Sequence, residues 1–356
     1  LMLVAYLFLI SFSSVVADHP PARYRIQLDS KPSSRWDHVI DDHLQYLPQV
    51  QEEAAKIIPP PIQSLVWKVA ENLRYFFPSE YAQEIEGISA RSGLALGEVV
   101  GLNVLYDISA YDRPRRLYQG CTSIVACDEK GRIWHGRNLD YMMGNLLKNT
   151  TIIADFYRGE KLVYTGTTFV LYVGLLTGQR PGAFTVSLNQ RYSGSSIFNV
   201  LMGILTTFHN PVSFVIRETL EDEATFDRAV DRLSKTHLVA PCYIIVGGMK
   251  KFEGVVISRD RWAAADVQTL HEKRWFLVET NFDHWTEEGD GRRKEATRLL
   301  SKMGRHRLNA HSLFRVLSAP PVRNNLTIYS GVMSAAKPAV LGETTVIIKD
   351  EICKNN

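Results

Sequence analysis

The chain has 356 residues, 45% of them apolar and 22% charged. That balance excludes disordered, collagen-like and coiled-coil classes, and the length is enough to bury a large core. A formal charge of +3 without a long basic run argues against a nucleic-acid partner, although ten histidines would make the chain distinctly basic in acid.

Leu3 to Ile10 is continuously apolar, and Val15, Val16 and Ala17 precede Asp18. A short apolar core ending in small residues predicts a secretory signal, residues 1–17, cleaved after Ala17. The run is too short to cross a bilayer as a helix, and no later stretch is long enough. Two N-x-[ST] triplets, at Asn149 and Asn325, then read as exposed, glycosylated loops of a secretory-pathway protein.

From Arg35 to Gly120 the pattern is helical. Trp36, Ile40, Leu44 and Leu47 recur at helical spacing until Pro59, Pro60 and Pro61 break the chain. Leu65, Val66, Val69, Ala70, Leu73, Phe76 and Phe77 form one stripe, with Lys68, Glu71 and Arg74 opposite and Trp67 at the edge. Further helices run from Ser79 to Gly93 and from Gly97 to Leu105. Two readings of these stripes stay open, core packing and a greasy surface that docks on lipid.

After Cys121 the character changes. Short β-type runs occupy 122–126, 132–135, 151–156, 161–164 and 169–176, separated by turn signals as in an antiparallel meander. Helices follow at 197–208, from Pro211, and through Phe226, Val230 and Leu233. Strands return at 243–246, 254–258, 276–280, 327–329 and 344–348, with helices at 293–303 and 312–317 between them. Strands, helices and strands again predict an α+β fold of two packed antiparallel sheets with helices outside.

The segment from Tyr111 to Gly120 is polar, basic and broken by Pro114, so it reads as an exposed loop ending at Cys121. A cut between Gly120 and Cys121 would give the thiol an α-amine on its own residue. With a pKa of about 7.7–8, that amine can take the thiol proton or stand as ammonium and favour the thiolate. Glycine before the cysteine tolerates the strained backbone that attack on the preceding carbonyl needs. A hairpin turning near Asp128 to Gly131 brings Arg137 and Asp140 back beside Cys121. Arg137 is permanently cationic and lowers a thiol pKa, and Asp140 can accept from an α-ammonium.

Cys121-Thr122-Ser123-Ile124-Val125-Ala126 and His135-Gly136-Arg137-Asn138-Leu139-Asp140-Tyr141 resemble the N-terminal-nucleophile amidases. Within these the chain is most similar to the family of acid amidases that hydrolyse N-acylethanolamines and to the related acid ceramidases. The resemblance runs from about Arg25 to Lys349 through Thr165–Phe169, Tyr172–Gly178, Ile245–Gly248, Glu279–Trp285 and Leu326–Tyr329. It implies an αββα sandwich and a lysosomal proenzyme that cleaves itself before Cys121. The product is an alpha/beta heterodimer of residues 18–120, a helical alpha chain, and 121–356, the hydrolase beta chain. It also implies Cys121 as nucleophile, Arg137 and Asp140 as its partners, Asn281 in an oxyanion hole, and Arg292 near the site. Tyr141, Asn189 and Gln190 would meet the substrate. A neutral amide donor suits negative charge developing on a carbonyl oxygen. No cofactor or metal is expected, because no cysteine or histidine pair has metal-ligand spacing.

Three departures from that family qualify the reading. The loop before Cys121 is longer and more basic, Gln190 stands where the family has Glu, and Cys127 is unmatched. The short segment from Met142 to Lys148 favours fatty-acid ethanolamides, such as palmitoyl ethanolamide, over ceramide as lipid substrate. A catalytically silent lipid-binding relative is the alternative of a different class. A bacterial-type acylase of penicillin or bile-salt amides lacks the matches at His284-Trp285 and Leu326–Tyr329. Cys242 reads as a buried thiol, Cys353 as a tail residue, and His38 and His43 as helix-surface residues.

Overall fold

The computed structural model describes residues 18–109, 120–191, 210–287 and 289–347. The expected signal, the expected helix at 197–208, the loop at 111–119 and Cys353 lie outside these residues.

The fold grows from one hairpin. β1 (Ala22–Gln27) apart, the first strands are β2 (Thr122–Cys127) and β3 (Ile133–Asp140), and every residue in both is buried. A strand buried on both faces must sit between two layers. The connecting turn is held by Asp128, whose carboxylate accepts from the Arg132 N–H at 2.9 Å and from the Trp134 indole at 3.0 Å. Because side chains alternate along a strand, β2 and β3 split their chemistry between the layers. Ser123, Val125, Cys127, Ile133, His135, Arg137 and Leu139 point toward the second sheet. Thr122, Ile124, Ala126, Trp134, Asn138 and Asp140 point toward the outer helices.

The order of this five-stranded sheet is β11-β2-β3-β12-β13, with β11 (Phe276–Glu279), β12 (Thr327–Met333) and β13 (Thr345–Val346), all antiparallel. The second sheet has eight strands among the described residues, in the order β1-β4-β5-β6-β7-β8-β9-β10. It comprises β4 (Thr151–Arg158), β5 (Lys161–Phe169), β6 (Thr177–Arg180), β7 (Phe184–Gln190), β8 (Cys242–Gly247), β9 (Gly254–Arg259) and β10 (Ala264–Thr269). Val125, Cys127 and Ile133 pack on Tyr243, Ile245 and Val256 between the sheets.

Helices cover both outer faces. Those before Cys121 are α1 (Asp37–Asp41), α2 (Leu47–Ile57), α3 (Pro60–Leu73), α4 (Ser79–Ser92) and α5 (Leu96–Ser109). After it come α6 (Gly144–Thr150), α7 (Val212–Asp222), α8 (Phe226–Lys235), α9 (Arg292–Met303) and α10 (Ala310–Leu317). Ala296, Leu300, Leu313 and Leu317 of α9 and α10 close the core over Ile124 and Trp134. The predicted αββα sandwich is therefore the fold.

Several details depart from the expectation. β1 adds a parallel edge strand to an otherwise antiparallel sheet; the alternation of Tyr24, Ile26 and Leu28 with Arg23, Arg25 and Gln27 is a strand pattern that the sequence reading passed over. The predicted strand at 169–176 does not form, because β5 ends at Phe169. Leu171 takes a left-handed conformation (φ 74°), and the apolar residues beyond it fill the core from a loop. The run was apolar because it is buried, not because it is extended. His43 is buried, its Nδ1 lying 2.8 Å from the Val39 carbonyl oxygen, and does not lie on the helix surface.

The segment before Cys121 is bound to the rest by charge as well as by packing. Glu84 of α4 accepts two hydrogen bonds from Arg217 of α7, at 2.6 and 2.7 Å, one from the Trp36 indole at 2.8 Å, and one from Arg35. Burial opposes the Glu84 charge, but Arg217 and Arg35 outweigh it and hold the carboxyl below its ordinary range. Asp107 of α5 accepts from the Val212 N–H at 2.8 Å, capping α7 from another helix. Burial pushes Asp107 up to about 7, above its value in an unfolded chain. A raised acid contributes stability at low pH that is lost as pH rises toward its folded pKa. Between pH 5 and pH 8 the parent should therefore lose about 2–3 kcal/mol that Asp107→Asn, which keeps the acceptor, does not lose. Urea unfolding at the two pH values measures this, and parallel losses would refute it.

Candidate active site at the head of the central strand

Cys121 is buried at the start of β2, where the chain enters the sheet. Its carbonyl oxygen accepts from Arg292 Nη1 at 2.7 Å, and Asn189 Nδ2 lies 3.5 Å away. Arg292 is the first residue of α9. Gly291, with φ 73°, turns the chain, and Asp290 accepts both the Arg292 N–H at 3.1 Å and Nε at 2.7 Å. The guanidinium, itself buried, also donates to Thr122 Oγ1 at 3.2 Å and to Asn281 Oδ1 at 3.1 Å, and stands 3.6 Å from Asp140.

A guanidinium only donates, so its contact fixes which end of the Asn281 amide faces it. Oδ1 points to Arg292, and Nδ2 points away to the Gln190 carbonyl oxygen at 2.8 Å. Asn189 is oriented in the same way. Its Nδ2 donates to the carbonyl oxygens of Glu279 (3.0 Å) and Thr280 (2.8 Å), leaving Oδ1 to accept from Ser123 at 2.8 Å and from Arg137.

Arg137 and Asp140 both lie near Cys121, but on opposite faces of β3. Arg137 enters the layer between the sheets, where Nη1 reaches Ser123 Oγ at 3.3 Å and Asn189. Asp140 turns outward and accepts from Thr327 Oγ1 and Asn324 Nδ2, each at 2.8 Å. Burial raises Asp140 to about 6, against the opposing pull of Arg292 and these two donors. Glu279, paired with Arg293 at 2.8 Å, is raised to about 7 by burial.

Gly120 is also within this arrangement. A Cβ built on it would stand 2.2 Å from Arg292 Nη2 and 2.5 Å from Asn281 Oδ1, so the backbone here lies directly against the ends of both side chains. The peptide preceding the thiol thus runs among the donors predicted to serve a substrate.

The other predicted positions scatter more. Tyr141 donates its N–H to the Leu326 carbonyl oxygen at 3.0 Å and lines an apolar pocket with Leu139, Met143, Leu146, Phe169 and Leu176. Gln190 is buried at the end of β7 and reaches the site through its carbonyl. Asn325 is exposed, as expected of a sequon. Asn149 is not in an exposed loop; it is half-buried in α6 and donates to Gln49 at 3.2 Å. Cys127 and Cys242 are buried free thiols, and among the described residues no group of three or more His, Cys, Asp or Glu could hold a metal.

Sequence reasoning passed over Asp290, Ser123, Asn324 and Thr327 as site residues. Arg191, which ties Asp283 (2.7 Å) beside Asn281, was also overlooked. Their signal was present for Thr327, two residues before Tyr329 in a matched motif, but not for Asn324, which acts through a turn.

The sandwich, with a cysteine heading a central strand and Arg, Asp and Asn side chains gathered at it, defines an amide hydrolase of the N-terminal-nucleophile class. A family model described as the beta subunit of N-acylethanolamine-hydrolyzing acid amidase matches residues 19–77, within the segment lettered alpha above. The N-acylethanolamine-hydrolyzing acid amidase of Caenorhabditis elegans is 52% identical over 95% of this chain and 96% of its own length. That of Rattus norvegicus is 40% identical over 94% and 92%. Acid ceramidase of Homo sapiens is 33% identical over 88% and 83%. A solved structure of the C. elegans ortholog superposes with a TM-score of 0.61 at 54% identity, covering 64% of this chain and all of that one. The chain belongs to the N-acylethanolamine-hydrolyzing acid amidase family.

Replacing Arg292 by Lys keeps the charge but not the fork that joins Cys121, Asn281 and Asp290. Amidase activity should fall about 10–100-fold, as when groups that orient a site's ligands are removed, while the melting temperature moves little. Steady-state kinetics with a thermal melt check both, and unchanged kcat would mean the fork is dispensable.

Proposed function

We propose that the chain is a proenzyme that cuts itself between Gly120 and Cys121 and then hydrolyses fatty-acid ethanolamides to fatty acid and ethanolamine. The observation that carries this reading is the burial of Gly120 against Arg292 and Asn281 beside the thiol. The names of the C. elegans and rat relatives support the substrate class.

After the cut, the α-amine of Cys121 takes the thiol proton and the thiolate attacks the amide carbonyl. Asn281 and a backbone N–H take the charge on the oxygen, with the amide held the right way round by Arg292. Collapse breaks the C–N bond, ethanolamine leaves with the proton returned by the α-ammonium, and water hydrolyses the thioester. Asp140 accepts from the ammonium, and Arg137 supplies fixed positive charge on the inner side.

The pocket beside Tyr141 suits an acyl chain. Leu102, Leu105 and Met143 also line a second apolar cleft of about 480 Å³ between α3 and α5, so the two adjoin. α3 buries only Ala70, and Leu65 (66% exposed) and Val69 (52%) point to solvent with Ile57 and Ile62. The inner part of the stripe is core, with Ala70 and Phe77 buried and Trp67 and Leu73 packed against them, and its exposed edge suits contact with a lipid surface. α3 is pressed onto α5 so closely that a Cβ at Gly97 would meet the Trp67 carbonyl oxygen at 1.9 Å. No helix among the described residues is long and apolar enough to cross a membrane. The apolar stretch before Asp18 and the raised buried carboxyls favour a lysosomal setting, reached through the secretory pathway with the exposed Asn325 as a glycosylation acceptor.

Incubation near pH 4.5–5, chosen against the carboxylate range, should split the parent into two species at Cys121 by intact mass. Cys121→Ala should stay whole and lose hydrolysis by at least about 10³-fold. Palmitoyl ethanolamide should be turned over faster than ceramide, and the opposite order would transfer the chain to the ceramidase reading. Leu65→Glu with Val69→Glu should cut sedimentation with anionic vesicles severalfold without slowing hydrolysis of a soluble amide. Undiminished sedimentation would remove the membrane surface.

A further inference from the structure

The layer between two sheets is normally apolar, yet here one stripe of it is polar. β3 contributes His135 and Arg137, β2 contributes Ser123, and β7 contributes Thr185, Ser187 and Asn189, all buried. His135 Nδ1 lies 2.9 Å from Thr185 Oγ1 and Nε2 lies 2.8 Å from Ser187 Oγ. Ser187 Oγ lies 2.8 Å from Ser123 Oγ, which lies 2.8 Å from Asn189 Oδ1. Buried polar groups are costly unless each is satisfied, so the direction of every bond matters.

Those directions follow from the far end. Asn189 Oδ1 only accepts, because its Nδ2 is committed to two carbonyl oxygens. Ser123 therefore spends its proton on Asn189, and Ser187 must donate to Ser123. Ser187 then has nothing left for the imidazole, so His135 Nε2 carries the hydrogen. Nδ1 is bare and accepts from Thr185. The Thr185 proton could instead go to the Gly247 carbonyl oxygen at 3.2 Å. That would require a doubly protonated ring in a buried layer two residues from Arg137.

We propose that His135, as the neutral Nε2–H tautomer, is a positioning residue that heads a one-way hydrogen-bond chain fixing Asn189 and Arg137 at the nucleophile. This rests on the hydrolase reading above for its effect on rate, but not for the tautomer. The environment keeps the ring neutral in acid. Val125 and Met333 flank it on the neighbouring strands, β7 offers two hydroxyls, and the charge acting on it is Arg137. Burial, with that charge, lowers the imidazole to about 3. A carboxylate in the same place would change its charge in the acid range.

The test has two arms. In protein labelled with ¹⁵N-histidine, the resonances missing from His135→Gln identify this ring. From pH 7.5 to 4.5 they should keep the neutral Nε2–H pattern. An Nδ1–H pattern, or an imidazolium by pH 4.5, would overturn the assignment whether or not the chain is an amidase. In kinetics, His135→Leu should lower kcat about 10–100-fold with KM nearly unchanged. His135→Gln, whose amide N–H reaches Ser187, should recover most of it. Equal losses in Leu and Gln variants, or no loss in Leu, would reject the positioning role. Should the Leu variant fail to fold, Ser187→Ala interrupts the same chain with a smaller change and must give the same kcat loss.

Discussion

A guanidinium that can only donate organises the head of β2. Arg292 is 171 residues from Cys121 in sequence, yet one side chain grips the Cys121 carbonyl, the Thr122 hydroxyl and the Asn281 amide. Burying such a charge is expensive unless it is compensated. Asp290 compensates it directly and Asp140 more distantly. The first turn of α9 is therefore tied to the central hairpin, and Asn281 cannot flip without turning its N–H groups toward a group that also only donates. In the oxyanion role proposed above, an amide whose orientation is set beforehand loses nothing to reorganisation during reaction.

The segment before Cys121 has no cysteine, so its attachment after a cut must be noncovalent. β1 hydrogen-bonds to β4, and the Glu84 carboxylate sits between Arg35 of its own segment and Arg217 of the other. Removing one member of a buried ionic cluster strands the remaining charge and costs about 3–5 kcal/mol. The cluster thus resists partial separation of the segments more than its net contribution to stability suggests. Asp107, Asp140 and Glu279 act in the opposite sense to Glu84. Their raised pKa values mean the folded chain takes up protons as the medium acidifies, so acid favours the fold at those three points. His135 works against this, since the unfolded chain would take up a proton that the folded ring refuses.

The hairpin, the two-sheet architecture and the placing of Arg137 and Asp140 on the strand that pairs with the one Cys121 heads were legible because each rests on local pattern or on a motif. The parity of strand positions would even have separated Arg137 from Asp140, since three residues along a strand reverses the face. What was not legible has a common cause. The alternation of β1 was readable, with Arg23 and Arg25 reaching outward to Asp155 and Glu160, but not its parallel pairing with β4, which sets Ala22 beside Ile152. The stretch after Phe169 looked like a strand because a buried loop and a buried strand share composition. Asn324 reaches Asp140 only through tertiary closure. The stripe of α3 could not be assigned to core or surface from its spacing, because periodicity reveals that a helix has an apolar face and not what covers it.

The space between the sheets is divided by chemistry. At the turn end of the hairpin it is closed by Val125, Cys127 and Ile133 against Tyr243, Ile245 and Val256. Toward Cys121 the same space holds hydroxyls, an imidazole, an amide and Arg137. The apolar end excludes water, and in a dry layer each misaligned donor at the polar end has no solvent to fall back on. Packing at one end therefore enforces hydrogen-bond direction at the other. Groups that neither gain nor lose a proton as the medium acidifies keep that direction, while Asp140, on the outer face of the same strand, and Glu279, on β11, can still titrate in this range.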